Sequence, residues 1–152
     1  MRVVLNEAEQ RLAKFLARAR YERNRSAGVT NAKVGPQSNE VTDLEGIGAE
    51  LAFCKWMNVY PDMQTEACLD ADAVTVAMGR VDVKATRYRN GHLLAVKGKS
   101  DNPADSYALM VGKFPAYNFA GWASADDLLR PDNIKNFGHG ETFALSQGQL
   151  KQ

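Results

Sequence analysis

Residues 72–86 read DAVTVAMGRVDVKAT and carry the clearest structural pattern of this 152-residue chain. Two runs rich in valine and alanine, 73–77 and 81–85, flank the tripeptide Met78-Gly79-Arg80. Such runs with a glycine between them are typical of a β-hairpin, because glycine accepts the positive φ of a tight turn. The pattern therefore predicts two antiparallel strands joined by a turn at residues 78–80.

The predicted hairpin also arranges its charged residues. Side chains alternate between the two faces of a strand, so Asp82 and Lys84 project from one face and the intervening valines from the other. A three-residue turn places Asp72 opposite Thr86 and on the face of Asp82, whereas a two-residue turn sends Asp72 to the opposite face. We expect the three-residue turn, because Gly79 suits the left-handed position of such a loop.

A second helix is predicted from about Gly46 to Asn58, and it carries a carboxylate on its apolar side. Glu50 lies at the centre of an apolar stripe when these residues are placed on a helical wheel. The other members of the stripe are Ile47, Phe53, Cys54 and Met57. A buried charge without a partner is unfavourable, so Glu50 requires a basic side chain, a proton or a metal ion. An internal ion pair is the alternative to a functional site.

Charge is distributed unevenly along the chain, although the net charge is only +1. Residues 1–33 sum to +5, residues 40–72 to −7 and residues 80–99 to +5. Such blocks can be solvated faces, but an acidic cluster between basic segments also suits a metal site beneath a nucleic-acid backbone. The basic face of the first predicted helix, residues 7 to about 24, is open to both interpretations.

The composition and the remaining elements predict one mixed α/β domain with one sheet flanked by helices. With 45% hydrophobic and 24% charged residues the chain is typical of a globular protein, and two cysteines are too few for a disulfide scaffold. There is no signal-peptide pattern and no membrane span, so we expect a cytoplasmic protein. The predicted parts are a basic N-terminal helix (1–25), a long loop (26–42), a core (about 43–130) and a C-terminal extension (131–152). Further strands are expected at 93–96, 107–111, 117–123 and 142–145, and a short helix at 124–130.

The order of these acids resembles the PD-(D/E)XK nuclease superfamily, also called restriction-endonuclease-like. The resemblance rests on a helix with a glutamate, GIGAELAF at 46–53, followed by an aspartate and then Asp-x-Lys ten residues later within 72–86. The segments SYALMV (106–111) and FAGWAS (119–124) fit the later core strands, so the resemblance covers about residues 43–130. Ala71 replaces the proline of the motif and Asp82 stands where glutamate is commoner. Asp70 competes with Asp72 for the role of the first strand acid.

The resemblance implies a restriction-endonuclease-like fold, a mixed central β-sheet flanked by helices, and a metal-dependent DNA endonuclease. It implies that Asp72, Asp82 and the backbone carbonyl of Val83 ligate Mg²⁺, with Mn²⁺ as a substitute. It implies that Glu50 ligates a second ion or holds a metal-bound water. Lys84 would then orient or deprotonate the attacking water, or stabilise the transition state.

The residues that we expect to contact nucleic acid carry a positive charge or a hydroxyl group. They are Arg18, Thr86, Arg87, Arg89, Lys97 and Lys99. Three other functions stay open: a dimeric, structure-specific nuclease such as a Holliday-junction resolvase, a catalytically silent module that binds nucleic acid or protein, and an unrelated α/β domain. The unrelated domain is favoured only if the strand register places Asp72 away from Asp82.

Overall fold

The computed structural model describes residues 1–28, 38–65, 71–101 and 103–152, except for the side chain of Lys99. Within these residues, helices and strands form a mixed α/β arrangement. In chain order they are β1 (Arg2–Val4), α1 (Glu7–Ser26), α2 (Asn39–Met57), β2 (Ala73–Thr75), β3 (Gly79–Thr86), β4 (Leu93–Val96), β5 (Ser106–Lys113), β6 (Ala116–Ser124), α3 (Ala125–Leu128), β7 (Ile134–Asn136) and β8 (Glu141–Leu145). In the described part of the chain, no helix combines the length and apolar character that crossing a bilayer needs.

The strands divide into two sheets. The central sheet has the order β1-β6-β5-β3-β2, and it is mixed because β3 and β5 run parallel while its other neighbours are antiparallel. The second sheet is antiparallel with the order β4-β8-β7. The predicted α/β class with a central sheet flanked by helices is confirmed. The prediction of one sheet is wrong, because β4 and the strands of the C-terminal segment pair with each other.

The central sheet has a separate apolar core on each face. Val83 and Ala108 are paired across β3 and β5 and pack with α1 and α2. Tyr107 and Leu109 alternate with Ala108 along β5 and pack with the second sheet and α3. Because β5 is buried on both faces, its residues are apolar at successive positions instead of alternating with polar ones.

The first helix starts where its sequence predicts. The side chain of Asn6 accepts a hydrogen bond from the Glu9 amide at 2.9 Å, and Glu9 accepts one from the Asn6 amide at 2.7 Å. This reciprocal pair is a capping box, which satisfies two of the amides that a helix start leaves without partners. The predicted helix over 7–24 is therefore confirmed, and it continues to Ser26.

The second helix starts earlier than predicted, at Asn39 instead of Gly46. The Ser38 hydroxyl caps it by accepting the Val41 amide at 3.2 Å. The predicted loop over 26–42 is thus too long at both ends, although residues 29–37 lie outside the described part of the chain. The first turns of α2 carry several polar residues and little apolar periodicity, so the pattern alone does not reveal them.

The β2–β3 hairpin turns two residues earlier than predicted. Ala73 pairs with Val81 and Thr75 pairs with Gly79, so the turn comprises residues 76–78 and not 78–80. The Thr75 hydroxyl accepts the Met78 amide at 2.9 Å, and Gly79 returns to the strand with φ +68°. The turn still has three residues, so the faces of the strands are those that the three-residue turn predicts.

Candidate active site

The hairpin brings Asp72 beside Asp82. Asp72 lies one position beyond the last paired residues, Ala73 and Val81, and its Oδ2 accepts the backbone amide of Val83 at 2.7 Å. Its carboxylate therefore takes the place of the next backbone acceptor in the ladder. The predicted position of Asp72 opposite Thr86 is wrong, but the predicted juxtaposition with Asp82 is present. The rival Asp70 lies outside the described residues.

Lys84 and Asp82 form an ion pair on β3. The Lys84 Nζ lies 2.7 Å from Asp82 Oδ1. The side chain of Asp82 is 10% exposed and that of Lys84 is 31% exposed, so the base reaches solvent while the acid is nearly covered. Strand alternation keeps both on one face, away from Val83, as the Asp-x-Lys spacing predicts.

Glu50 occupies the inner side of α2 and pairs with a residue that the sequence analysis missed. Arg20, on α1, donates from Nη1 to Glu50 Oε2 at 3.1 Å, and both side chains are less than 20% exposed. The sequence analysis named an internal ion pair as one alternative for Glu50, and the structure contains that pair. A buried glutamate signals that a cation is needed, but the helix sequence does not reveal which of the many basic residues supplies it.

Each acid changes the proton affinity of the others. Burial, together with the charges of Asp72 and Asp82, raises the pKa of Glu50 to about 8 despite the opposing effect of Arg20. Burial and the charge of Asp82 raise the pKa of Asp72 to about 6, although the Val83 amide and Lys84 oppose this. With all three acids ionised, the cluster would carry more negative charge than Arg20 and Lys84 neutralise, so it favours the binding of a proton or of another positive charge.

The oxygen donors at the hairpin have the chemistry of a hard-cation site. Asp72, Asp82 and the carbonyl of Val83 offer oxygen ligands only, and the repulsion between the two carboxylates raises the pKa of Asp72. This donor set fits Mg²⁺ by its chemistry and charge. Across residues 1–28, 38–65, 71–101 and 103–152, no three His, Cys, Asp or Glu side chains are grouped as a metal site.

Most of the residues expected to contact nucleic acid have partners within the protein. Arg18 pairs with Glu22 at 2.8 Å, Arg87 with Glu45 at 2.7 Å and Lys97 with Glu141 at 2.9 Å. The hydroxyl of Thr86 accepts the Tyr88 amide at 3.2 Å, Arg89 is exposed, and the side chain of Lys99 lies outside the described part. The carboxylates partly cancel the positive charge that the sequence predicts for these segments.

Comparison with known proteins identifies a family but no function. Residues 1–135 match the model of a family of unknown function, DUF5843. The match spans most of the chain, including α1, α2 and the hairpin, so the protein belongs to this family. A search of the curated proteins found no match, and a search of the solved structures found none either.

Proposed function

We propose that the protein is a metal-dependent endonuclease that hydrolyses phosphodiester bonds in DNA. The observation that carries this proposal is the meeting of Asp72 with the Asp82–Lys84 ion pair at one end of the β2–β3 hairpin. This arrangement and the packing of α2 behind β3 support a restriction-endonuclease-like core. The reaction class is inferred from the site, because a fold alone does not define a function.

Asp72, Asp82 and the Val83 carbonyl would hold Mg²⁺, or Mn²⁺ in its place. Such an ion lowers the pKa of a bound water and neutralises charge on the phosphate. Lys84 is more exposed than Asp82, and its ammonium group can donate to a non-bridging phosphate oxygen or to the attacking water. The water oxygen bonds to phosphorus as the bond from phosphorus to the leaving oxygen breaks. The water loses a proton and the leaving oxygen takes one up, so the products are a phosphate end and a hydroxyl end.

A specific observation favours a second candidate function, a silent module of the same fold that binds nucleic acid or a protein. Lys84 pairs with Asp82 and Arg20 pairs with Glu50, so each of these acids already has a cation supplied by the chain. In a binding module, these ion pairs would only stabilise the fold. Asp72 favours the nuclease over this module, because it adds a second carboxylate beside Asp82, as a site for a hard cation requires.

A nuclease assay tests the proposal. Wild type and Asp82→Ala are compared on linear, nicked, branched and single-stranded DNA with Mg²⁺, Mn²⁺ or EDTA. We expect cleavage that requires the metal and falls by about 10²-fold or more in the variant. The matched control is Asp127→Ala, which removes a carboxylate paired with Lys151 at 2.8 Å, far along the chain from the hairpin.

Each outcome assigns a function. Metal-dependent cleavage that Asp127→Ala retains and Asp82→Ala loses supports the nuclease, and the preferred DNA identifies a structure-specific or a general enzyme. If folded wild type supplied with metal cleaves none of the substrates, the nuclease proposal is contradicted. DNA binding by that inactive wild type, measured by gel shift, then favours the silent module.

A further inference from the structure

Arg20 donates hydrogen bonds to two separate parts of the chain, α2 and the segment that follows it. Its Nη1 donates to Glu50 at 3.1 Å, its Nε donates to the carbonyl of Gln64 at 2.9 Å, and its Nη2 donates to the carbonyl of Asp62 at 3.1 Å. All three guanidinium nitrogens are engaged, and the side chain is only 14% exposed. A planar guanidinium with each nitrogen bonded has little freedom to reorient.

A second arginine of α1 also binds the segment 62–65 that Arg20 contacts. Arg23, one helical turn later, donates from Nη1 to the carbonyl of Thr65 at 2.9 Å. Two arginines of α1 therefore hold the backbone that follows α2, while Glu50 is held within α2. The contact between Arg20 and Glu50 is fixed from both sides.

A second metal ion at Glu50 would have to displace this contact. Arg20 would then leave Glu50, and its movement would strain or break its bonds to the Gln64 and Asp62 carbonyls. Backbone acceptors that lose their donor in a covered site are unfavourable. The guanidinium already provides the positive charge that a metal ion would bring to Glu50.

We propose that Arg20 takes the place of a second metal ion, so that the site binds one divalent cation, at Asp72 and Asp82. This inference rests on the proposed nuclease function and defines its metal stoichiometry. Arg20 is a positioning residue, since it acts by holding Glu50. Glu50 is then the ion-pair partner of Arg20 and does not ligate an ion of its own.

The test counts Mn²⁺ ions on the full chain without DNA, by the electron paramagnetic resonance signal of free Mn²⁺ and by calorimetry. We expect one Mn²⁺ on wild type and two on Arg20→Ala, because Glu50 is then a carboxylate without its cation. The double variant Arg20→Ala/Glu50→Gln returns to one. The matched control, Arg23→Ala, loses the bond to the Thr65 carbonyl and keeps the Arg20–Glu50 pair, so it binds one.

The outcomes separate this inference from the proposed function. Two Mn²⁺ ions on wild type would overturn the inference and leave the nuclease standing, whereas none would overturn both. A single ion on folded Arg20→Ala would also overturn the inference. If Arg20→Ala does not fold, the Mn²⁺ affinity of Glu50→Gln tests the inference instead. One Mn²⁺ bound with an unchanged Kd supports it. A Kd weakened about tenfold or more, as expected when a metal ligand is lost, overturns it.

Discussion

The helix half and the hairpin half of the candidate site each contain one ion pair, Arg20–Glu50 and Lys84–Asp82. Arg20 is bound to two backbone carbonyls besides Glu50, and both members of its pair are well covered. Lys84 is about twice as exposed as Arg20, and it forms an ion pair with Asp82. We therefore expect the Arg20–Glu50 pair to remain intact, and the Lys84–Asp82 pair to separate when a phosphate or a cation binds. Four predictions test this difference.

The largest expected effect is on catalysis by the hairpin half. Lys84→Ala should lower kcat about 10²–10⁴-fold, because it removes the ammonium group proposed to donate to the phosphate or the attacking water. DNA affinity, measured by gel shift with the same substrate in Ca²⁺, should change less than about threefold. An equal loss of affinity and rate would assign Lys84 to DNA binding and not to the chemical step.

The helix half should dominate stability. Arg20→Ala should lower the free energy of unfolding by about 3–5 kcal/mol, because it leaves Glu50 and two covered backbone carbonyls without their donor. Lys84→Ala should lower it by about 1 kcal/mol, as for a more exposed pair. Urea denaturation of both variants in EDTA measures the difference. Equal losses would contradict the contrast between a held pair and an opening pair.

The acids should also make stability depend on pH. Glu50 and Asp72 have raised pKa values in the folded protein, about 8 and about 6, so the folded state binds more protons than the unfolded state above pH 4.5. The free energy of unfolding should therefore fall as the pH rises from 5 to 8 in EDTA, by at least about 2 kcal/mol. Urea midpoints at pH 5, 6.5 and 8 measure it.

Two comparisons sharpen this pH prediction. Glu50→Gln should flatten the dependence most, because the amide does not titrate and the shift of Glu50 is the larger one. Mg²⁺ should stabilise the protein more at pH 8 than at pH 5, because metal ligands must be deprotonated. A wild-type stability that rises from pH 5 to 8 in EDTA would contradict the assigned direction of both shifts.

The smallest expected effect concerns the turn that presents Asp82. Gly79 has φ +68°, and an added Cβ would lie 2.6 Å from Asp105 Oδ2. Gly79→Ala should therefore cost about 1–2 kcal/mol of unfolding free energy. Gly98→Ala is the control, since a Cβ there meets no atom within 4 Å. Thermal unfolding of both variants checks this, and equal shifts in Tm would contradict a conformational role for Gly79.

Much of the site could be predicted from local patterns, and the errors have a common origin. Alternation on β3 correctly places Asp82 with Lys84, and the apolar stripe of α2 correctly places Glu50 inside. The predicted turn is displaced by two residues, because several neighbouring turns suit the same valine-rich runs. The Thr75 hydroxyl and Gly79 select one of them. Asp72 still lies beside Asp82, because moving the turn by two residues leaves each side chain on the same face of its strand.

The sequence by itself determined which residues face inward, because helix and strand periodicity and end caps act over a few neighbouring residues. It thereby determined that an acid lies on the apolar side of α2, that Asp82 and Lys84 share a face, and that α1 begins after Asn6. Only the tertiary structure decided the partners. Arg20 meets Glu50 thirty positions away, and β4 joins β8 in a second sheet. Such pairings depend on how whole elements pack, and many basic residues and strands of similar local character compete for them.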